Sequence, residues 1–276
     1  GKKVLDTPLN NWLNDPTIDL PLALCWANEP WTRRWDGLEH DVLIPQTFGP
    51  DWEHRYLSDA AAYLVDPRYV RVAGRPVLIV YRVDLLPTPV ESLRRMRVEA
   101  ERLGLGGLHI LGVKPSRDFG RLRGDVESEV DGVLTFPPGS GLALEHLHTV
   151  PGLPVPNDRL FSYESAARTV VATQNMGARS HLTIFPGWDN AARRGQLGHG
   201  FHGANPIAFR GWLQRGFGAS ADAQSGFVFI NAWNEWAEGA ALEPGRRFGT
   251  ANLAAIGEVL GDSTARIETA LSGLNG

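Results

Sequence analysis

Six short apolar runs, separated by stretches of helical periodicity, constrain the fold of this chain more than any other feature. They are LPLALCWA (20–27), RPVLIVYR (75–82), LHILGVK (108–114), VDGVLTF (130–136), HLTIFPG (181–187) and FVFINAW (227–233). Their continuous Val, Ile, Leu and Phe content predicts strands covered on both faces, as in a parallel sheet. Helical patterns lie between or after them, in DWEHRYLSDAAAYLV, VESLRRMRVEAERLG, SYESAARTVVATQNMG, NPIAFRGWLQRG and TANLAAIGEVLG. YVRVAGRP predicts a small ribbon turning at Gly74, residues 115–129 read as a weak helix, and the Pro- and Gly-rich 137–160 as a long loop.

This βα alternation fits an open doubly wound sheet or a closed barrel. Polar residues follow successive strand ends: Asn28 and Glu29, Asp84, Lys114, Trp188 and Asp189, then Asn234 and Glu235. Chemistry delivered from several strands at one end is the arrangement of a (β/α)8 TIM-type barrel at its C-terminal face. The stretch GLGGLHILG precedes its strand and lacks the G-x-G-x-x-G spacing of a Rossmann turn. Six strands do not close an eight-stranded barrel, so the expectation is a barrel lacking its first two strands. The even pattern favours one domain over residues 1–276.

Composition excludes some partners. A net charge of −4 with 21% charged residues supplies no basic field for nucleic acid, and no apolar run reaches membrane-span length. Cys25 is the only cysteine, which rules out an intrachain disulfide, and its apolar surroundings suggest a buried, inert thiol. That usage leans towards a cytoplasmic setting. His146 with His148, and His199 with His202, have spacings open to a metal, but no H-E-x-x-H supports one, so no metal or cofactor is expected. His54, in a helical segment, reads as a surface or packing residue. No G-x-S-x-G elbow is present, and the lone cysteine has no evident histidine partner.

The chemistry-bearing residues cluster in three places. WNEWAEGAALEP brings Trp233, Asn234, Glu235, Trp236, Glu238 and Glu243 together directly after a strand. If the strand ends near Asn234 and the chain turns, Glu235 and Glu238 can face one cavity. Two carboxylates so placed suit glycosidic bond chemistry, one as acid and the other as base or nucleophile. The neighbouring indoles offer flat faces to sugar rings, and their low polarity raises a carboxylic acid's pKa. The same glutamates can equally cap the following helix or pair with Arg246 and Arg247. CWANEPWTRRWDG supplies Trp26, Asn28, Glu29, Trp31, Arg33, Trp35 and Asp36, for sugar stacking and hydrogen bonding or for a loop stapled by its own packing. FPGWDNAARRG adds Trp188, Asp189 and Asn190, which can bind hydroxyls or form an Asx turn and helix cap. Tyr81 closes RPVLIVYR at a further strand end.

Together, CWANEPWTRRWDG, GRPVLIVYR, FPGWDNAARR and WNEWAEGAALEP resemble the bacterial WbsX-type glycosyltransferase family, itself similar to glycoside hydrolase family 99, the endo-α-mannosidase-like enzymes. The resemblance implies a (β/α)8 barrel acting on an oligo- or polysaccharide in surface polysaccharide metabolism of the O-antigen or rhamnan type. It implies two strands preceding this chain, without which stability or activity would be impaired. By resemblance, Glu235 acts as base on the sugar's own 2-hydroxyl, giving an anhydro-sugar intermediate, and Glu238 protonates the leaving oxygen. Ala237 stands where those hydrolases carry histidine, and Ala241 where WbsX-type sequences often do. Hydrolysis and transfer both remain open, with no DxD-like metal–nucleotide motif after an early strand. The alternatives are a non-catalytic carbohydrate-binding barrel or an inactive truncated fragment. Oligomeric state is not readable from the sequence.

Overall fold

The structure is a computed structural model that describes residues 5–33, 38–114, 122–138, 159–173, 179–195, 198–222 and 226–261. Trp35, Asp36, His146, His148 and most of the 137–160 loop lie outside the described residues. The fold is α/β, and the chain divides into two compact units, residues 1–115 with 120–133, and residues 116–119 with 134–276.

The first unit opens with α1 (Thr7–Asn14), β1 (Leu24–Trp26) and an antiparallel pair, β2 (Trp31–Arg33) and β3 (Leu38–Ile44). There follow α2 (Trp52–Leu64), β4 (Arg71–Val72), β5 (Arg75–Val80), α3 (Pro89–Arg102), β6 (His109–Lys114) and α4 (Gly124–Glu129). β5 runs parallel to β1, with Leu24 opposite Leu78, and to β6, with Leu78 opposite Ile110. Five of the six β5 residues are buried, which is why this strand reads as an unbroken apolar run. The ribbon at Gly74 is real: β4 pairs antiparallel with β5 across Ala73 and Gly74, with φ of 49° and 78°. Positive φ at both loop residues is the turn that matches strand twist, and glycine adopts it without strain. In α2, Trp52, Leu57, Ala60, Tyr63 and Leu64 recur at helical spacing on the buried side and join Leu78, Leu93, Met96 and Ile110 in the unit's core. Pro89 opens α3, where its missing N–H costs nothing. Cys25, expected to be buried, is exposed; the protein around its sulfur still pushes the thiol up to about 11.

The units divide within β7 (Gly132–Thr135). The second contains β8 (Leu160–Ser162), α5 (Tyr163–Thr173), β9 (Ser180–Ile184), α6 (Ala191–Arg194) and β10 (Gly200–His202), then α7 (Pro206–Asp222) and β11 (Val228–Ile230). It ends with β12 (Asn234–Glu235), β13 (Ala240–Ala241) and α8 (Ala251–Val259). β9 and β11 are parallel, Thr183 opposite Phe229, and so are β8 and β10. Its separate core centres on fully buried Trp212, whose ring meets Tyr163 at 5.4 Å and Phe185 at 4.8 Å, both edge-on. Tyr163 Oη, buried with them, donates to the Phe185 carbonyl at 2.6 Å. Each of the six apolar runs thus contains a parallel-type strand or, at 130–136, the strand where the units meet in sequence. Among the described residues no helix is long and apolar enough to cross a membrane.

Candidate functional site

In the first unit the chain leaves β1 and β5 side by side, and the residues just beyond them are tied together. Asn28 is fully buried. Its Nδ2 donates to the Arg82 carbonyl at 2.7 Å, and its Oδ1 accepts the Arg82 N–H at 2.8 Å. The Arg82 guanidinium is forked onto Asp84 at 2.9 and 2.7 Å and pairs with Glu29 as well. Asn28 and Glu29 therefore serve as a clamp between strand ends, with both ends of the Asn28 amide bonded to the Arg82 backbone. The Tyr81 N–H donates to the Trp26 carbonyl at 3.0 Å, extending the strand pairing. Trp26 stacks on Tyr56 at 4.1 Å and touches Phe48 and Trp52, and these four rings line a cavity of about 310 Å³ with Asp6, Gln46 and Arg55. Trp31 is exposed on β2, and Arg33 lies 3.5 Å from Asp41.

The second unit holds the paired glutamates. After β11 the chain turns back on itself: β12 pairs antiparallel with β13, Glu235 opposite Ala240, around a single 3-10 turn, Trp236–Glu238. This turn separates the two carboxylates. Glu235 is exposed, whereas the Glu238 side chain is 19% exposed and bonds Arg193 Nη1 at 2.6 Å. Burial pushes the Glu238 carboxyl up; Arg193 pulls it down, the Glu235 charge raises it further, and the net position is above the ordinary glutamate value.

Around them, Trp233 and Trp236 are 52% and 54% exposed, flat faces open to a ligand. Trp236 Nε1 donates to Glu243 Oε2 at 2.7 Å, so Glu243 fixes the indole. Trp188 is buried and lies over His199, 5.9 Å away and nearly parallel. The Asp189 N–H donates to the Glu238 carbonyl at 2.8 Å, and its Oδ1 accepts the Ala191 N–H at 3.0 Å, which is the Asx turn. Asn190 is buried, with its Oδ1 on the His199 N–H at 2.7 Å, so its side chain is spent on structure. Burial lowers the His199 imidazole, Arg194 and Arg159 lower it further, and Asp189 opposes them.

The structure gathers Trp188, Asp189, Asn190, Trp233, Asn234, Trp236 and Glu243 with the glutamates in this unit, and Trp26, Asn28, Glu29, Trp31, Arg33 and Tyr81 in the other. Sequence reasoning offered Arg246 and Arg247 as partners of the glutamates, but Glu238 pairs with Arg193. Arg82 was missed as well; its position directly past a strand end was the available signal. Among the described residues no group of three or more His, Cys, Asp and Glu is placed to hold a metal.

Gly239 follows the 3-10 turn at φ +63°, and a Cβ there would lie 2.8 Å from the Asp189 nitrogen. Gly239→Ala is expected to cost roughly 1–3 kcal/mol through the left-handed backbone and this contact. Because the contact is with Asp189, whose N–H bonds the Glu238 carbonyl, the same change displaces Glu238. A urea midpoint unchanged from the parent would show that the turn accepts a side chain.

Residues 1–256 match the family described as Glycosyltransferase WbsX. The chain belongs to that family. It is also 37% identical to the uncharacterized protein WxcX of Xanthomonas campestris pv. campestris strain B100, and equally to that of strain ATCC 33913. Each alignment covers 94% of this chain and 37% of the relative, so the chain spans little more than a third of the curated relatives' length. Among solved structures, a glycoside hydrolase-like protein superposes with a TM-score of 0.54 over 77% of this chain and 62% of its own, at 19% identity. That likeness shows a shared fold. A GH99 endo-α-mannosidase from Bacteroides thetaiotaomicron superposes more loosely, with a TM-score of 0.47 at 13% identity over 91% of this chain and 81% of its own.

Proposed function

We propose that this WbsX-family chain is a glycan-acting enzyme of bacterial polysaccharide metabolism that cleaves or transfers a glycosidic bond with Glu235 and Glu238. The observation that carries the reading is the environment of Glu238: a largely buried carboxyl, raised by desolvation, three residues from an exposed carboxylate and flanked by two open indole faces. Burial favours the protonated carboxyl that a leaving oxygen needs, and an exposed carboxylate suits the base that activates the attacking hydroxyl. Trp233 and Trp236 are the sugar platforms. The reading takes residues 1–276 as a single glycan-active domain of the (β/α)8 class, in a cytoplasmic setting.

The test is turnover of a panel of bacterial surface polysaccharides and α-mannosides by this chain. New reducing ends or a transfer product are expected, and Glu235→Gln is expected to abolish them. Sugar bound without product would instead favour a carbohydrate-binding role.

A further inference from the structure

The element beside Glu238 carries more charge than the acid–base pair uses. α6 is fixed on both flanks: the Arg193 and Arg194 N–H groups donate to the Asn190 carbonyl at 3.0 and 2.9 Å, Asn190 is bonded to His199, and Asp189 to Glu238. Two consecutive arginines therefore leave a fixed backbone beside the Trp236–Glu238 turn, and the charges of both act on Glu238. Arg193 is occupied by Glu238 at 2.6 Å. Arg194 is exposed and, among the described residues, makes no ion pair, although its charge reaches both Glu238 and His199.

Acid catalysis by Glu238 conflicts with this arrangement. To donate a proton Glu238 must be neutral, yet its ion pair with Arg193 favours the carboxylate and would leave a half-buried guanidinium uncompensated once broken. A neutral glycan offers Arg193 nothing in exchange; an anionic one offers a second oxyanion. Guanidinium forks hold carboxylate and phosphate oxygens in pairs, and an unpaired Arg194 supplies the second fork. Glu235, Glu243 and Asp189 are the other carboxylates of this neighbourhood, so an anion gains only where a guanidinium holds it directly.

We propose that Arg193 and Arg194 form an oxyanion subsite, and that the glycan processed here carries a carboxylate or phosphate group on the departing sugar, which draws Arg193 from Glu238. This rests on the Glu235/Glu238 reading. As Arg193 transfers to the substrate anion, Glu238 is protonated by exchange with the solvent's acid. It gives that proton to the glycosidic oxygen as the anomeric C–O bond breaks, while the attacking hydroxyl oxygen bonds the anomeric carbon and its proton passes to Glu235. The substrate class is an acidic glycan, with a uronic acid and a sugar phosphate as the two sources of the anion.

The experiment has two arms. In the first, methyl glucuronide, glucose 6-phosphate and methyl glucoside are titrated calorimetrically into the full chain and into Arg194→Ala, with Arg168→Ala as a control on an exposed pair with Glu164. The acidic ligands are expected to bind about tenfold or more tightly than the neutral one, and Arg194→Ala to remove most of that preference. Whichever acidic ligand is preferred identifies the source of the anion. Equal binding of acidic and neutral ligands by the parent overturns the inference. In the second arm, turnover of an acidic polysaccharide is compared with the same polymer after carboxyl reduction or dephosphorylation. Undiminished turnover of the neutralised polymer, still lost in Glu235→Gln, overturns the inference and leaves the catalytic reading standing. Arg194-dependent binding of acidic sugars with no polymer turned over does the reverse.

Discussion

Glu238→Gln is expected to lower turnover by about 10²–10⁴-fold, the usual contribution of a positioned general acid or base. The amide has the size of the carboxyl and can occupy the same half-buried place against Arg193, so shape is conserved while the transferable proton is lost. The parent's own pH profile carries the same signature. The acid must be protonated, so kcat/KM is expected to fall as pH rises through the raised Glu238 pKa. Stability moves in the same direction. The folded state holds this proton more tightly than the unfolded chain, so its contribution is fully present below the ordinary glutamate value and is lost as pH rises through the raised one. Glutamine has no such loss. The variant is therefore expected to gain on the parent in thermal midpoint between acid and neutral pH while losing nearly all activity. Near-parental turnover with an unchanged pH profile would remove Glu238 from the chemistry.

That a carboxyl is held at such a cost was partly visible in the sequence. Glu235 and Glu238 among tryptophans past an apolar run announced carboxylates in poor solvent, and the turn after β11 separates their environments. The six strands were legible for a related reason: a strand covered on both faces, such as β5, leaves no room for polar residues, so its whole length is apolar. The β2–β3 and β12–β13 pairs left no such trace. β2, β12 and β13 are three residues or fewer, too short to show a period, and β3 is exposed from His40 to Leu43, so these pairs depend on partners rather than on an apolar run.

Ion-pair partners were the least legible feature. Arg246 and Arg247 are near Glu238 in the chain, yet the partner is Arg193, 45 residues away, because the chain returns through α7 and β11 before reaching the turn that meets α6. Chain proximity is a poor guide wherever strand-end loops converge from distant segments. The stretch FPGWDNAARRG drew notice for its aromatic and amide residues, and the two arginines beside them were passed over. Their position just after a strand, with Asp189 and Asn190, was the signal that could have found them.

Asn28→Leu is the stability change expected to be largest among the candidate site residues. Leucine fills nearly the same volume but offers neither donor nor acceptor, so the Arg82 N–H and carbonyl both lose their bond to Asn28. Asn28 is fully buried and Arg82 is 8% exposed, which leaves little room for water to substitute. Each buried group deprived of its hydrogen bond costs up to about 1–3 kcal/mol, giving up to roughly 2–6 kcal/mol for the two. That is a large share of the roughly 5–15 kcal/mol that holds a typical protein folded. The contrast within one motif sharpens the measurement. Trp31 follows Asn28 by three residues but is 43% exposed, and Trp31→Ala is expected to cost only about 0.5 kcal/mol. Urea denaturation of both variants decides the matter. A markedly lower midpoint for Asn28→Leu alone, at unchanged slope, supports the buried clamp between the ends of β1 and β5. Equal midpoints for the two variants would mean that the two-way amide contact is dispensable, and that the strands are held there by the pairing of Leu24, Cys25 and Trp26 with Leu78, Ile79 and Val80.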